Sequence, residues 1–416
     1  MACTETKNEE VSNEINIDLK DCLLKHMEIS VSETEKRTTS ALNIRDCYTV
    51  YLIETRITDN GWELIEHGLG QIWRRYSEFE QLRNYLCNTY PWAVIPPLPE
   101  KKHSFPVHSL PSDTFNPDFV DRRRAGLENF LHRIAQHPVI SKDSMFLMFL
   151  QQEEGWRNSI RDIGYVKKAE DKLKAFSAVV RIKESDVDFD DLRKYCQNVK
   201  VTLGNILRIR SRASLKVYNI YKLNAGFGKV FSEWSAIEKE LGDGLQRAGH
   251  FFDSIASWSD TFLEDEEQII DQLKEYLFYA SSIEDICCKR DMLQLEIEKL
   301  KDRLETKQEE KERILQGKVG VISRLFGTVL TEDMRTSRLR QIEDKIVDTE
   351  EKIKQDEVEL GNFKEKTLTD VADFQKKKVV DLKDTLESFI ELQIKMAKKG
   401  VQTWTNIKEC IDSMPT

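Results

Sequence analysis

Gln71-Ile72-Trp73-Arg74-Arg75-Tyr76-Ser77-Glu78-Phe79 is the stretch on which the first half of the chain turns. Its first six residues read as a strand, rich in β-branched and aromatic side chains. Ser77 is a helix cap, and Glu80 three residues on is the matching partner in a capping box. The helix it opens carries Phe79, Leu82 and Leu86. Strand side chains alternate between faces, so Arg74 and Arg75 point in opposite directions. Upstream, Met27-Glu28-Ile29-Ser30-Val31 alternates apolar and polar, and Tyr48-Thr49-Val50-Tyr51-Leu52-Ile53 is a second strand-like run. Asp59-Asn60-Gly61 supplies a turn between that run and the third. Downstream lies Pro96-Pro97-Leu98-Pro99-Glu100-Lys101, and then Asn116-Pro117, a cap residue with proline at the first helical position. The helix so begun carries Phe119, Leu127, Phe130, Leu131 and Ile134. Three strands, a helix, a proline loop and a helix predict a compact α+β module over residues 27–150.

Eight of the nine prolines fall between Pro91 and Pro138, and the ninth is Pro415. The long interval between Pro138 and Pro415 lacks the ring that breaks helices and is dense in Leu, Glu, Lys and Gln. Residues 151–188 are read as a linker with a basic amphipathic helix. Trp156, Ile160, Ile163, Val166, Ala169, Leu173, Phe176 and Val180 recur at steps of three and four among many lysines and arginines. That stripe either inserts into a membrane surface or packs on the rest of the chain. Residues 189–416 predict three long helices. The first runs to about Leu241, where Gly242 and Gly244 weaken it or kink it, and the second runs to about Leu315 with a heptad seam at Leu293, Ile297, Leu300 and Leu304. The third starts near Thr331 after Gly317, Gly320 and Gly327. Leu339, Ile342, Ile346, Ile353, Leu360, Phe363 and Phe374 carry its seam, with Thr349 and Thr367 on the same line. A helix of roughly 70 residues is ~105 Å long, too long to wrap one core. Such helices pack side by side as an elongated bundle and against a second copy.

The formal net charge of the 416 residues is −10, so overall charge points neither to nucleic acid nor to an acidic membrane. Attraction to anionic lipid has to come from local basic clusters: Arg208, Arg210 and Arg212; Lys289 and Arg290; Lys376, Lys377 and Lys378; Lys398 and Lys399. For any one of these the plain alternative is a solvated helix face. The eight cysteines form no C-x-x-C pair and read as reduced thiols, with no metal site expected. Residues 1–26 are polar and acidic and read as a disordered tail without a signal sequence. No window approaches ~18 uninterrupted apolar residues. No phosphate-loop, dinucleotide, zinc-protease or nucleophile-elbow motif is present, so no enzyme and no cofactor are expected.

Three motifs of the first module occur together: Arg74-Arg75-Tyr76-Ser77-Glu78-Phe79, the run from Pro96 to Lys102, and Asp121-Arg122-Arg123-Arg124-Ala125-Gly126-Leu127-Glu128-Asn129-Phe130. In this order and spacing they resemble the PX domain of the sorting nexins. The helical half resembles the BAR domain attached to some of them, through Phe231-Ser232-Glu233-Trp234 with its continuation to Leu245, and through Leu263-Glu264-Asp265-Glu266-Glu267. The resemblance implies a PX domain followed by an all-α, three-helix, BAR-type dimeric bundle. It implies binding of phosphatidylinositol 3-phosphate, with Arg75 on the 3-phosphate, Tyr76 under the inositol ring, Lys101 on the 1-phosphate and Arg123 on ring hydroxyls. Phe79 is expected in the core, Arg74 away from the pocket, and Arg122 and Arg124 as surface charge. It also implies that the loop bearing Phe105, Val107 and Leu110 dips into the bilayer, the alternative being that it packs against its own domain; the basic stripe itself makes Ile163 and Phe176 the inserting residues of the amphipathic helix. The implied role is a membrane-curving adaptor on the cytoplasmic face of early endosomes, acting in sorting, recycling and autophagy, with cargo proteins and a homodimer or another BAR-type sorting nexin as partners. The alternative is a lipid-targeted coiled-coil scaffold that recruits partners without shaping membrane.

Overall fold

Two runs of β-branched and aromatic residues pair first. The computed structural model describes residues 22–41, 44–58, 70–101, 117–152, 156, 160, 182–316 and 332–415. Strand β1 (Met27–Ala41) lies antiparallel to β2 (Ile44–Ile57), and β2 to β3 (Gly70–Arg75), giving the order β1-β2-β3. The first two strands are far longer than the runs that announced them, because their distal halves are polar and carry no apolar alternation. The register shifts between Val31 and Glu33. There α2 (Pro117–Ala135) covers the outer edge of β1. Glu128 accepts from the Val31 amide at 2.7 Å, Arg124 donates to the Val31 carbonyl at 2.6 Å, and His132 Nε2 stands 2.6 Å from the Ile29 carbonyl. An edge whose backbone groups are occupied in this way offers no template for stray strand pairing.

Tyr51 opposes Arg74 and Ile53 opposes Ile72 on the face that meets the helices. Phe79 and Leu82 of α1 (Tyr76–Thr89), Leu127 and Phe130 of α2, and Phe146 and Phe149 of α3 (Ser144–Gln151) complete this core. Phe79 meets Phe149 and Phe130 edge-on at 5.0 and 6.4 Å, so it is the core residue expected. Helix α1 begins at Tyr76, earlier than Ser77 as cap allows, with Arg75 at the cap position and Glu78 accepting from its amide at 2.6 Å. The core also reaches beyond 27–150. Leu23, in a short 3₁₀ turn, is fully buried, as is Trp156, and Ile160 is nearly so. The first two apolar positions of the basic stripe therefore face the module's own interior.

The second half consists of α4 (Val187–Ser235), α5 (Gly242–Leu315) and α6 (Glu332–Asp412). Helix α4 stops six residues before Leu241, where the Trp234 carbonyl accepts from Ile237 and Glu238. Gly242 is the first residue of α5 and does not kink a continuing helix. At 1.5 Å per residue α5 and α6 are about 110 and 120 Å long. Ile297 is buried on the expected seam of α5, and Ile342, Ile353, Leu360 and Phe363 on that of α6. Thr349, Thr367, Thr385 and Thr403 are also buried, at intervals of 18 residues. Eighteen residues are five turns at 3.6 per turn, so this line follows a straight helix rather than a heptad supercoil.

The two halves dock through paired charges. Arg133 of α2 reaches Glu275 of α5 at 3.2 Å and Asp381 of α6 at 2.5 Å. Arg122 pairs with Glu267, and His137 Nε2 lies 2.9 Å from Asp370, whose other oxygen accepts from the Val94 amide. Arg122 is thus a docking residue and not loose surface charge, and Arg124 is tied to β1. Several basic clusters are equally committed. Arg210 is buried against Glu266 and Glu267, Lys289 donates to the Cys87 carbonyl, and Arg290 is buried beside Asp291 and Asp186. Those three side chains are not available to lipid. Asp186 caps α4 by accepting from the Asp188 and Phe189 amides.

Candidate functional site

β3 ends and α1 begins at Arg75-Tyr76, which places a cation and an aromatic ring at one corner of the module. The proline loop and α2 converge on the same ring. The Arg123 guanidinium lies 5.0 Å from the Tyr76 centroid and 4.3 Å from that of Phe119, and the Lys101 ammonium lies 5.7 Å from Tyr76. Arg123 Nη2 donates to the Lys101 carbonyl at 2.7 Å, and the Tyr76 hydroxyl donates to the Pro99 carbonyl at 2.6 Å. Close packing of the loop on α2 requires Gly126: a Cβ there would stand 2.8 Å from Pro99. Burial pushes the Tyr76 phenol up, with Glu80 adding to the shift, so this ring is neutral. Burial likewise raises Tyr51, opposed by the charge of Arg123 beside it.

Of the four residues expected to hold a head group, Tyr76, Lys101 and Arg123 are thus brought together. Arg75 joins them through the chain, but its own guanidinium lies 3.6 Å from the ring centroid of Tyr48. The Lys101 ammonium, more than half exposed, pairs with Glu80 at 2.8 Å. Arg74 points to the other face, as alternation requires, and is completely buried there. It donates to the carbonyls of Phe149 and Gln152, and its guanidinium stacks near Phe149 and Trp156. The sequence reads Tyr48 and Phe119 as a strand and a helix residue, and not as the aromatic supports of the two arginines. The register that sets Tyr48 beside Arg75 depends on how far β2 runs past β3. Phe105, Val107, Leu110, Ile163 and Phe176 lie outside the described residues.

A cavity of about 420 Å³ lies between the proline loop, α2 and α5. It takes in Arg123 but not Arg75, Tyr76 or Lys101, and it belongs to the seam between the two halves. Among the described residues no group of three or more His, Cys, Asp or Glu is placed to hold a metal. The buried thiols of Cys196 and Cys287 are each pushed up to about 12 by burial, which removes them as thiolate nucleophiles near neutral pH.

Arg123 and Lys101 around the neutral ring of Tyr76, with Arg75 held next to them on Tyr48, on an α+β module docked to an elongated bundle, define a PX domain joined to a BAR-type helical unit. The PX domain family model matches residues 66–153. Sorting nexin-4 of Pongo abelii is 44% identical over 99% of this chain and 92% of its own length. Sorting nexin-4 of Homo sapiens is 45% identical over 94% of this chain and 88% of its own. The cryo-EM structure of the SNX-BAR Mvp1 tetramer superposes with a TM-score of 0.62 at 17% identity, covering 91% of this chain and 99% of that one, so both units share its fold. The chain belongs to the sorting nexin family, in the PX-BAR group and on the sorting nexin-4 side of it. It is a membrane-associated sorting protein of a group of non-enzymatic adaptors.

Proposed function

We propose that this sorting nexin reads phosphatidylinositol 3-phosphate with Arg75, Tyr76, Lys101 and Arg123 and, as a dimer, curves the endosomal membrane to which it is recruited. One contrast carries the reading. Among five neighbouring arginines, Arg74, Arg122 and Arg124 each have a carboxylate partner. Arg75 and Arg123 have none among the described residues and lie instead on aromatic faces. Arg123 gives one donor to the Lys101 carbonyl, and a guanidinium held by its face keeps its remaining in-plane donors for a polar ligand, which at Arg75 can be a phosphate gripped in a bidentate manner. In this reading Arg75 takes the 3-phosphate and Lys101 leaves Glu80 for the 1-phosphate. Arg123 meets the ring hydroxyls, which disfavours further phosphates there. Phe105, Val107, Leu110, Ile163 and Phe176 are proposed as the inserting side chains.

The dimer has its own support. Leu223 and Phe227 of α4 and Ile390 and Trp404 of α6 are large apolar side chains left more than half exposed. Phe227 and Trp404 flank the same ring, Phe252 of α5, at 5.4 and 5.8 Å, so they form one patch. A patch of this kind marks an interface. The proposed partners are a second copy or another BAR-type sorting nexin, together with membrane cargo, on the cytoplasmic face of early endosomes in recycling and autophagy. Electron microscopy of liposomes carrying phosphatidylinositol 3-phosphate tests the whole. Tubules support it. Bound but spherical liposomes favour the scaffold that recruits without shaping, and no lipid-dependent binding removes the reading.

A further inference from the structure

We infer that Tyr48 is a positioning residue for the phosphate-binding arginine: its ring face holds Arg75 in place for a phosphomonoester while leaving the guanidinium edge unoccupied. This rests on the reading of Arg75 as the phosphate ligand and adds the group that presents it. Strand β3 ends at Arg75, which opposes Val50. β2 runs on past that point, paired among the described residues with β1 alone, where Tyr48 opposes Arg37. Tyr48 stands two residues from Val50, hence on the same face of the sheet as Arg75. The polar extension of the β1–β2 hairpin therefore brings one aromatic ring beneath the end of β3. The separation of 3.6 Å is the closest approach among the cation–ring contacts at this corner.

The geometry decides between two ways of fixing an arginine. A carboxylate would hold the side chain by occupying two of its donors and cancelling its charge. A ring face holds it by its flat side, and all five N–H donors lie in the plane and stay open. The long side chain then gives up part of its rotamer freedom before the ligand arrives, so less is lost on binding. The tyrosine hydroxyl has no part in this, which separates the role from a hydrogen bond to lipid.

The test uses the full chain and flotation on phosphatidylcholine vesicles with and without phosphatidylinositol 3-phosphate, at fixed salt. Tyr48→Phe and Tyr48→Trp keep the ring face and should bind within about twofold of the parent. Tyr48→Ile keeps strand propensity but removes the face, and should weaken binding about three- to tenfold. Tyr48→Thr serves the same purpose if isoleucine perturbs the thermal midpoint. In an Arg75→Ala background, Tyr48→Ile should cost nothing further. Parent-like binding by Tyr48→Ile overturns the inference, as does an equal loss in Tyr48→Phe or an undiminished loss in the Arg75→Ala background. Parent-like binding by Arg75→Ala alone removes the underlying site reading instead, so the two failures are told apart.

Discussion

Arg74 and Arg75 are consecutive in β3, yet one guanidinium is sealed in the core and the other lies on an aromatic ring at the module's corner. Arg74 has no exposed surface; it donates to the Phe149 carbonyl at 2.9 Å and stands 3.8 Å from Glu78, itself 3% exposed. It clasps the end of α3 and lies between Phe149 and Trp156, so it fastens the chain as it leaves the module. Arg74→Ala would take the cation away from the buried Glu78 carboxylate, which keeps the Arg75 amide, and a donor away from two carbonyls. Breaking a buried pair from one side costs roughly 3–5 kcal/mol. Urea denaturation should show a loss of that order. A change below about 1 kcal/mol would mean that the site relaxes and that Arg74 is dispensable. Arg74→Ala is therefore unsuitable as a neutral control for lipid binding.

Arg75→Ala should act in the opposite manner, with little change in the unfolding midpoint and a large change in affinity. Each charge-assisted hydrogen bond contributes ~1.5–3 kcal/mol, and ~1.4 kcal/mol is a factor of ten. Binding to phosphatidylinositol 3-phosphate liposomes should fall about a hundredfold or more. Arg75→Lys should recover little, since an ammonium lacks the planar fork and the stacking on Tyr48. Flotation at constant ionic strength reads this, and equal binding by parent and Arg75→Ala would dismiss the pocket.

The contrast between these neighbours also shows where sequence reading holds and where it stops. Strand alternation assigned the two arginines to opposite faces, and the core position of Phe79 followed from local pattern. The proline gap gave three long helices, because helix length depends on composition that any window can sample. Missing were contacts between segments far apart in the chain. Tyr48 under Arg75 needs the strand register. Arg122 on Glu267 joins two residues 145 positions apart and needs the docking of the two domains. Arg210 looked like part of a basic cluster because its partners, Glu266 and Glu267, sit on another helix. Trp156 and Ile160 fitted an amphipathic stripe equally well whether the stripe meets lipid or the module's own core.

Glu267 gives the docking a defined pH dependence. Burial pushes its carboxyl up, but Arg210 and Arg122 outweigh that and hold it below its ordinary value of 4.5. A depressed carboxyl contributes stability that is present above the ordinary value and is lost as pH falls through the depressed one. Asp271 and Glu275 at the same seam are raised by burial and run the other way, so the parent's curve is a composite. The difference between parent and Glu267→Gln isolates one group. Glu267→Gln should be about 2 kcal/mol less stable at neutral pH. The gap should begin to narrow as pH falls below 4.5 and close as it passes the depressed value of Glu267. A gap independent of pH would show that the ion pairs contribute through shape alone.

Thr367 is fully buried on the inner line of α6, and its hydroxyl has no hydrogen-bond partner among the described residues. Thr349, Thr385 and Thr403 on the same line donate to carbonyls four residues back. Replacing an unsatisfied buried hydroxyl by a methyl of the same shape removes a desolvation cost of ~1–3 kcal/mol, less whatever local relaxation already recovers. Thr367→Val should raise stability by about 1 kcal/mol, whereas Thr385→Val, which gives up a made bond, should not. Thermal unfolding of the two variants against the parent distinguishes them, and a destabilised Thr367→Val would mean that the hydroxyl is satisfied in solution.

The exposed patch around Phe252 bears on whether this chain acts as a pair. Phe227 is 52% and Trp404 56% exposed, on two different helices and against the same buried ring. Aromatic side chains in such a position bring a large apolar area to an interface and typically dominate its energy. Phe227→Glu combined with Trp404→Glu places two charges where a second copy would have to bury them, while each single chain can still hydrate them. Helix content by circular dichroism should therefore stay at the parent's level. Sedimentation should show a dimer for the parent at micromolar concentration and a monomer for the double variant. Tubulation should vanish with the dimer, while head-group binding through Arg75 persists at reduced avidity, because one site replaces two. A parent that sediments as a monomer at that concentration would overturn self-pairing, and a double variant that remains dimeric would place the interface elsewhere on the bundle.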